Sequence, residues 1–338
     1  MNHTALIQAL EVISTLPKNK PLTIFFAREP LFQLAQKITF RQPVKTFLCP
    51  DLGLSVAGFN LKKIIEDRIK YHLVYQEYFN NITKQDIYFF NHVYWDFGLK
   101  IIQDLAKKNK VYFYNHFPLQ EEEPGQIAPQ LLLKYLFGLK HTRIIKSQGN
   151  YCSLITNEFI AKNRIRLFTP KINSKLVQEM VANLLPPQTT PKVLVLAGGD
   201  LSQPGIDKKN YRKNFAHLIK ILLKFYKKKD ILVKMHPRFD ENIKALKPFI
   251  NAQTQSLPAE LLITPQTELL IALRSTTFSF DRPYLRKLKR IALLNIFYTD
   301  SPQRDIFLKM QKGFHLKTFY PGNFDQLVTV LKRNGIHS

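Results

Sequence analysis

His236 and Pro237 close the stretch ILVKMHPRFD (231–240), where an apolar run ends at an imidazole and a charged turn follows. Proline fixes its own φ and biases the residue before it toward extended geometry, so the imidazole is held in one direction at a strand end. Two other stretches carry groups that suit the same kind of ligand. In AGGDLSQPG (197–205), Gly198 and Gly199 let the backbone approach a ligand closely, and Ser202 adds a hydroxyl. In RSTTFSF (274–280), Ser275, Thr276 and Thr277 stand behind Arg274. Imidazole, hydroxyls and free peptide N–H groups gathered at one sheet edge suit a phosphate. Taken singly, each has a plainer reading: a His–Pro pair is commonly a turn, and a Ser-Thr-Thr run is commonly a cap or an exposed strand. Lys234 and Arg238 either add a positive field or only solvate the strand end.

The elements that must position these groups alternate between β-rich apolar runs and helical periodicity, the pattern of an α/β protein. In the first half, PLTIFFA (21–27), VKTFLCP (44–50), DIYFFNH (86–92) and KVYFYNHF (110–117) predict strands, with two more near RIIKSQ and NRIRLFTP. Between them LFQLAQKI, LKKIIEDRIKYHLVYQEYFN, WDFGLKIIQDLAKKN and QIAPQLLLKYLFG carry apolar residues at helical spacing. An amphipathic helix is expected over 3–14, either packed on the domain or available for dimerisation. PPQTTPK (186–192) cannot continue the preceding helix and reads as a linker. A new unit then begins with strand KVLVLAGG, helix NYRKNFAHLIKILLKFYKKK and strand DILVKMHP. Beyond it, ENIKALKPFINA and TELLIALR predict helices, and AELLITP and RIALLNIFY predict strands, with helices near 302–312 and 323–334. The expected organisation is two domains, 1–187 and 188–338, with the last helix free to pack back on the first and a cleft between the domains as the default binding site.

The chain has 338 residues, 45% hydrophobic and 22% charged, enough to bury sizeable cores. It lacks the run of ~18 apolar residues needed to span a bilayer, and its first 20 residues do not read as a signal peptide. Two cysteines, Cys49 and Cys152, imply neither a disulfide framework nor a zinc site and point to a reducing cytoplasm. Fifty Lys plus Arg against 25 Asp plus Glu give a net charge of +25, a field that attracts anions such as nucleic acid, acidic polysaccharide or an anionic membrane surface. The basic residues are dispersed, and no RNA-binding signature is present, so nucleic acid is not the expected partner. There is no GxxxxGK[ST], GxGxxG or GxSxG motif, which disfavours an NTPase, a dehydrogenase or an α/β-hydrolase.

The segment KVLVLAGGDLSQPGIDKKNYRKNFAHLIKILLKFYKKKDILVKMHPR, followed by LPAELLI and LRSTTFSFD, resembles the C-terminal half of bacterial sialyltransferases of glycosyltransferase family 52 and the related polysialyltransferases. The resemblance covers roughly residues 191–300 and is faint over the first half. It implies a GT-B fold, two Rossmann-like doubly wound domains facing a central cleft, with a CMP-activated sialic acid as donor and no metal or other cofactor. It places the family's HP motif on His236 and Pro237, its Ser/Thr motif on Ser275 and Thr276, and its PAE pattern on Pro258, Ala259 and Glu260. Gly198, Gly199, Ser202, His236, Pro237, Glu260, Ser275 and Thr276 are then the expected nucleotide-binding residues. The same resemblance implies that His236 assists the departing CMP phosphate, where an imidazole can donate a proton near neutral pH.

The family's acceptor base lies in an Asp/Glu-Asp/Glu-Gly motif. The corresponding place here reads PLQEEEPG (118–125), with the glycine one residue late, so Glu122 or Glu123 is the expected base, His116 is a second candidate, and the glutamates alternatively only favour a helix N-terminus. Asp-x-Asp, the usual metal-binding triplet of sugar-nucleotide enzymes, does not occur. The expected acceptor is an anionic cell-surface glycan or glycolipid: lipooligosaccharide, O-antigen or capsule. The protein would act in the cytoplasm, held electrostatically at the inner membrane face. Two alternatives stay open: a CDP-glycerol or Kdo-type transferase of the same fold, and a non-catalytic basic protein that binds polyanions.

Overall fold

Four of the aromatic and β-branched runs of the first half become parallel strands. The computed structural model describes residues 3–26, 28–49, 61–90, 100–101, 104–114, 149–151, 174–184, 190–198, 205–236, 243–273, 275–279, 285, 287–312 and 317–333. These divide into two compact α/β units, Met1–Val181 and Ala182–Ser338.

In the first unit, helix α1 (His3–Ile13) precedes strand β1 (Leu22–Phe26). After helix α2 (Glu29–Ala35), strand β2 (Val44–Leu48) pairs in parallel with β1. Helix α3 (Leu61–Val74) runs directly into a π-helical turn, Tyr75–Phe79. Strands β3 (Asp86–Phe90), β4 (Lys110–Tyr114) and β5 (Gly149–Tyr151) form a parallel sheet in that order, and helix α4 (Ser174–Val181) closes the unit. Helix α1 forms where expected, but its polar side is covered as well as its apolar one. Leu6 through Ile13 are all buried, including Gln8 and Glu11, and Ala9 and Val12 pack with Phe90, Tyr88 and Tyr112 of the sheet. The helix therefore belongs to the core of its own unit. A second core gathers Cys49, Tyr71, Val74, Phe79, Ile101, Leu105 and Val111. Beneath it Asp104 accepts from Lys100, Lys107 and Tyr71, which holds its carboxyl at about 2, although burial alone would raise it.

The second unit is a five-stranded parallel sheet: β6 (Val193–Ala197), β7 (Ile231–Met235), β8 (Leu269–Ala272), β9 (Lys289–Ala292) and β10 (Thr318–Phe319). The spatial order is β10-β9-β8-β6-β7, so the direction of strand addition reverses between β6 and β8. Helix α5 (Tyr211–Leu222) buries Tyr211, Phe215, Leu218, Ile219 and Leu222, one apolar stripe at helical spacing, against this sheet's core. The remaining helices are short α6 (Ala252–Gln255) and α7 (Leu294–Phe297), then α8 (Pro302–Lys312) and α9 (Phe324–Arg333). Leu327 and Leu331 of α9 join the same core, and Phe324 stacks on His217 of α5.

Several expectations here change. TELLIALR is not a helix: its centre is β8, whose four residues are all buried between β6 and β9. A strand covered on both faces shows a continuous apolar run, which periodicity cannot separate from a helical turn. AELLITP is not a strand but a 3-10 turn at Ala259–Leu262. ENIKALKPFINA breaks into turns, a 3-10 segment at Lys247–Phe249 and the start of α6, because Pro248 lies inside it. RIALLNIFY is a strand only to Ala292 and then turns into α7.

Candidate functional site

In open parallel sheets, ligands sit beyond the carboxyl ends of the strands where strand order reverses. Here that point lies between β6 and β8, with β7 beside β6, and each of the three strands ends in one of the expected motifs. Gly198 follows β6, His236 follows β7, and Ser275 with the 3-10 turn Thr276–Ser279 follows β8. The His236 N–H donates to the Ala197 carbonyl at 2.9 Å, which extends the β6–β7 ladder by one bond and fixes the backbone beneath the imidazole. His236 itself is exposed. Gly198 is required by this approach: a Cβ at that position would stand 2.4 Å from the His236 Cβ.

The turn after β8 is ordered from both sides. The Thr277 N–H donates to Ser275 Oγ at 3.1 Å, which leaves the Ser275 O–H to point elsewhere. Phe278 is fully buried and anchors the turn in the core. The Thr277 hydroxyl donates to Glu260 Oε1 at 3.0 Å. Glu260 is buried, and burial raises its carboxyl above the ordinary carboxylate range, opposed by its hydrogen bonds and by Lys234.

Lys234 does not solvate the strand end. It is buried within β7, and its Nζ donates to the Gln255 carbonyl at 2.7 Å and the Thr254 carbonyl at 3.5 Å. Burial pushes its pKa down to about 8, against the pull of the Glu260 carboxylate. Lys234 and His236 stand two residues apart and therefore share one face of the strand. Gln255 completes the outer edge of β7: its Oε1 accepts from the Met235 N–H at 2.8 Å, and its Nε2 donates to the Val233 carbonyl at 3.2 Å. A side-chain amide thus supplies the partners that another strand would give. Neither role was read from the sequence. The one available signal was a lysine inside an apolar strand.

The far end of the segment after β6 is also tied down. Gly205 takes a left-handed φ of +87°, and its carbonyl accepts from the Thr299 N–H at 2.7 Å. Ile206 bridges to Tyr298 beside it.

Gly199, Ser202, Pro237, Glu122 and Glu123, with His116, Arg238 and Arg274, lie outside the described residues, and Thr276 is described only by its backbone. Of the expected nucleotide-binding set, Gly198, His236, Ser275 and the Thr276 backbone come to the ends of neighbouring strands. Glu260 lies behind Thr277. Among the described residues no group of three or more His, Cys, Asp or Glu is placed to hold a metal ion. No helix among them is long and apolar enough to cross a membrane.

No protein-family model matches this chain, and no curated protein does. Among solved structures, E. coli heptosyltransferase WaaC with ADP-2-deoxy-2-fluoro heptose is similar over 93% of this chain and 100% of that one, at 11% identity and a TM-score of 0.37.

Proposed function

We propose that the protein is a GT-B glycosyltransferase that binds a nucleotide sugar at the carboxyl ends of β6, β7 and β8. The observation that carries this reading is the convergence of Gly198, His236 and the Ser275 turn on adjacent parallel strands at the order reversal of the second unit. The donor in this reading is a CMP-activated sialic acid or related nonulosonate, following the sequence resemblance over residues 191–300. The acceptor is a cell-surface glycan.

Transfer from a CMP-sugar breaks the bond between the anomeric carbon and a phosphate oxygen. Positive charge develops on the sugar and negative charge on the phosphate. Donors already fixed around that phosphate act where charge grows most. In the proposed mechanism Ser275, Thr276 and peptide N–H groups of the turn donate to the phosphate oxygens, and His236 donates to, or protonates, the departing phosphate. Imidazole, hydroxyl and peptide donors meet the charge of a single phosphate without assigning any role to a metal. Glu122 or Glu123 takes the proton of the attacking acceptor hydroxyl, and attack opposite the leaving group inverts the anomeric centre. The net charge of +25 would draw the protein to the anionic inner membrane face, where a glycolipid acceptor lies.

A thermal-shift panel with CMP, CDP, UDP, GDP and a short RNA tests the donor. A ligand present at 100 times its dissociation constant stabilises by about 2.7 kcal/mol, a shift of several degrees. Stabilisation by CMP supports the reading, stabilisation by CDP moves the donor to the glycerol-phosphate type, and stabilisation by RNA alone overturns it. In the transfer assay, His236→Ala should lose turnover by orders of magnitude, whereas a polyanion-binding protein would be indifferent to it.

A further inference from the structure

Two groups of the proposed phosphate site have a buried residue two positions away that leads to the same carboxylate. Lys234 precedes His236 by two residues at the end of β7, and Thr277 follows Ser275 by two after β8. Between them stands Glu260, on a 3-10 turn whose Leu261 and Leu262 are buried. It accepts the Thr277 hydroxyl at 3.0 Å, and its charge acts on Lys234, whose Nζ is bound to the carbonyls of Thr254 and Gln255. Gln255 in turn holds Met235 and Val233, the backbone that leads into His236. One buried node therefore ties together the end of β7, the segment 250–262 and the turn after β8.

A polar node in this place is costly unless it is filled. A buried carboxyl group needs hydrogen-bond partners, here the Thr277 hydroxyl. An apolar filling would cover the same space but would leave the turn after β8 tied to the core only by packing, with the Ser275 hydrogen bonds internal to the turn. The bond between the Glu260 carboxyl and the Thr277 hydroxyl is directional, so it sets the rotation of the turn and thus where Ser275 and its neighbouring N–H groups aim.

We propose that Glu260 and Thr277 are positioning residues that orient the Ser275–Thr276 turn toward the phosphate of the bound nucleotide. Glu260 itself does not touch the nucleotide in this arrangement. The inference rests on the nucleotide reading above.

The test is calorimetric binding of CMP and of cytidine, which lacks the phosphate, to the full chain and four variants, each first checked for native melting. Thr277→Val removes the hydroxyl at nearly constant volume and should weaken CMP about tenfold, or 1.4 kcal/mol, while cytidine binds as before. Thr277→Ser keeps the hydroxyl and should bind CMP like the unaltered protein. Glu260→Ala should lose at least as much CMP affinity as Thr277→Val, and Glu260→Gln, which still offers an acceptor, should lose less. Equal weakening of CMP and cytidine, or a Thr277→Val protein that binds CMP normally, overturns the positioning role while leaving the nucleotide reading intact. If the unaltered protein does not bind CMP, the CMP-sugar reading fails and takes this inference with it. Should Glu260→Ala not fold, the Thr277 pair decides alone.

Discussion

Gly198 and His236 sit so close that no side chain fits between them: a Cβ on the glycine would meet the His236 Cβ at 2.4 Å. The contact joins the ends of β6 and β7, and the atom it would displace belongs to the residue proposed to act on the leaving phosphate. Gly198→Ala should therefore push the imidazole out of position. A displacement near 1 Å at a reacting group costs on the order of 100-fold in rate. The expected result is a fall of that order in kcat/KM with the helical and strand signal in circular dichroism unchanged. Unaltered turnover would show that His236 does not act at the reacting centre.

Gln255 stands in for a strand along the outer edge of β7, giving one acceptor to Met235 and one donor to Val233. Gln255→Leu keeps the bulk and leaves both backbone groups without that partner. Each such loss costs about 1–3 kcal/mol. A clear drop in the urea midpoint of the second unit is expected, together with faster amide exchange at Met235.

Lys234 carries a pH signature. Its folded pKa, about 8, lies below the ordinary 10.5 because burial disfavours the ammonium. Between those two values the unfolded chain holds more protons than the folded one, so stability rises as pH rises from about 8 toward 10.5. Lys234→Met should remove this rise. The check is the change in urea midpoint between pH 7.5 and pH 10, which should be more positive for the unaltered protein than for Lys234→Met.

Asp104 titrates in the acid range in the first unit, and there too stability rises with pH. Lys100, Lys107 and Tyr71 hold its carboxyl near 2, below the ordinary 3.8. Its stabilising contribution is present above about pH 4 and is lost as pH falls toward 2. Asp104→Asn should cost about 1–2 kcal/mol at neutral pH and make the acid transition of this unit shallower. A variant that unfolds in acid with the slope of the parent would contradict the assignment.

Much of this architecture was legible in residue order. VLVLA and ILVKM are too apolar and too short to be surface helices, and the stripe Tyr211, Phe215, Leu218, Leu222 repeats at helical spacing, so the β6–α5–β7 unit and the ends of its strands could be placed without coordinates. The His-Pro motif marked one of those ends because proline acts on the backbone next to it in the chain. What residue order could not decide depends on partners far apart in sequence. LLIA is a strand because β6 and β9 enclose it; its own periodicity allows a helix. Lys234 is buried and bound to carbonyls twenty residues away, although a lysine near a strand end ordinarily reaches water. Glu260 reaches Thr277 across seventeen residues, and Gly198 is a glycine because of His236, thirty-eight positions later. Local propensities act within a turn or two of the chain. Which polar group is buried, and against what, is settled only when distant segments close on one another and the surrounding water is excluded.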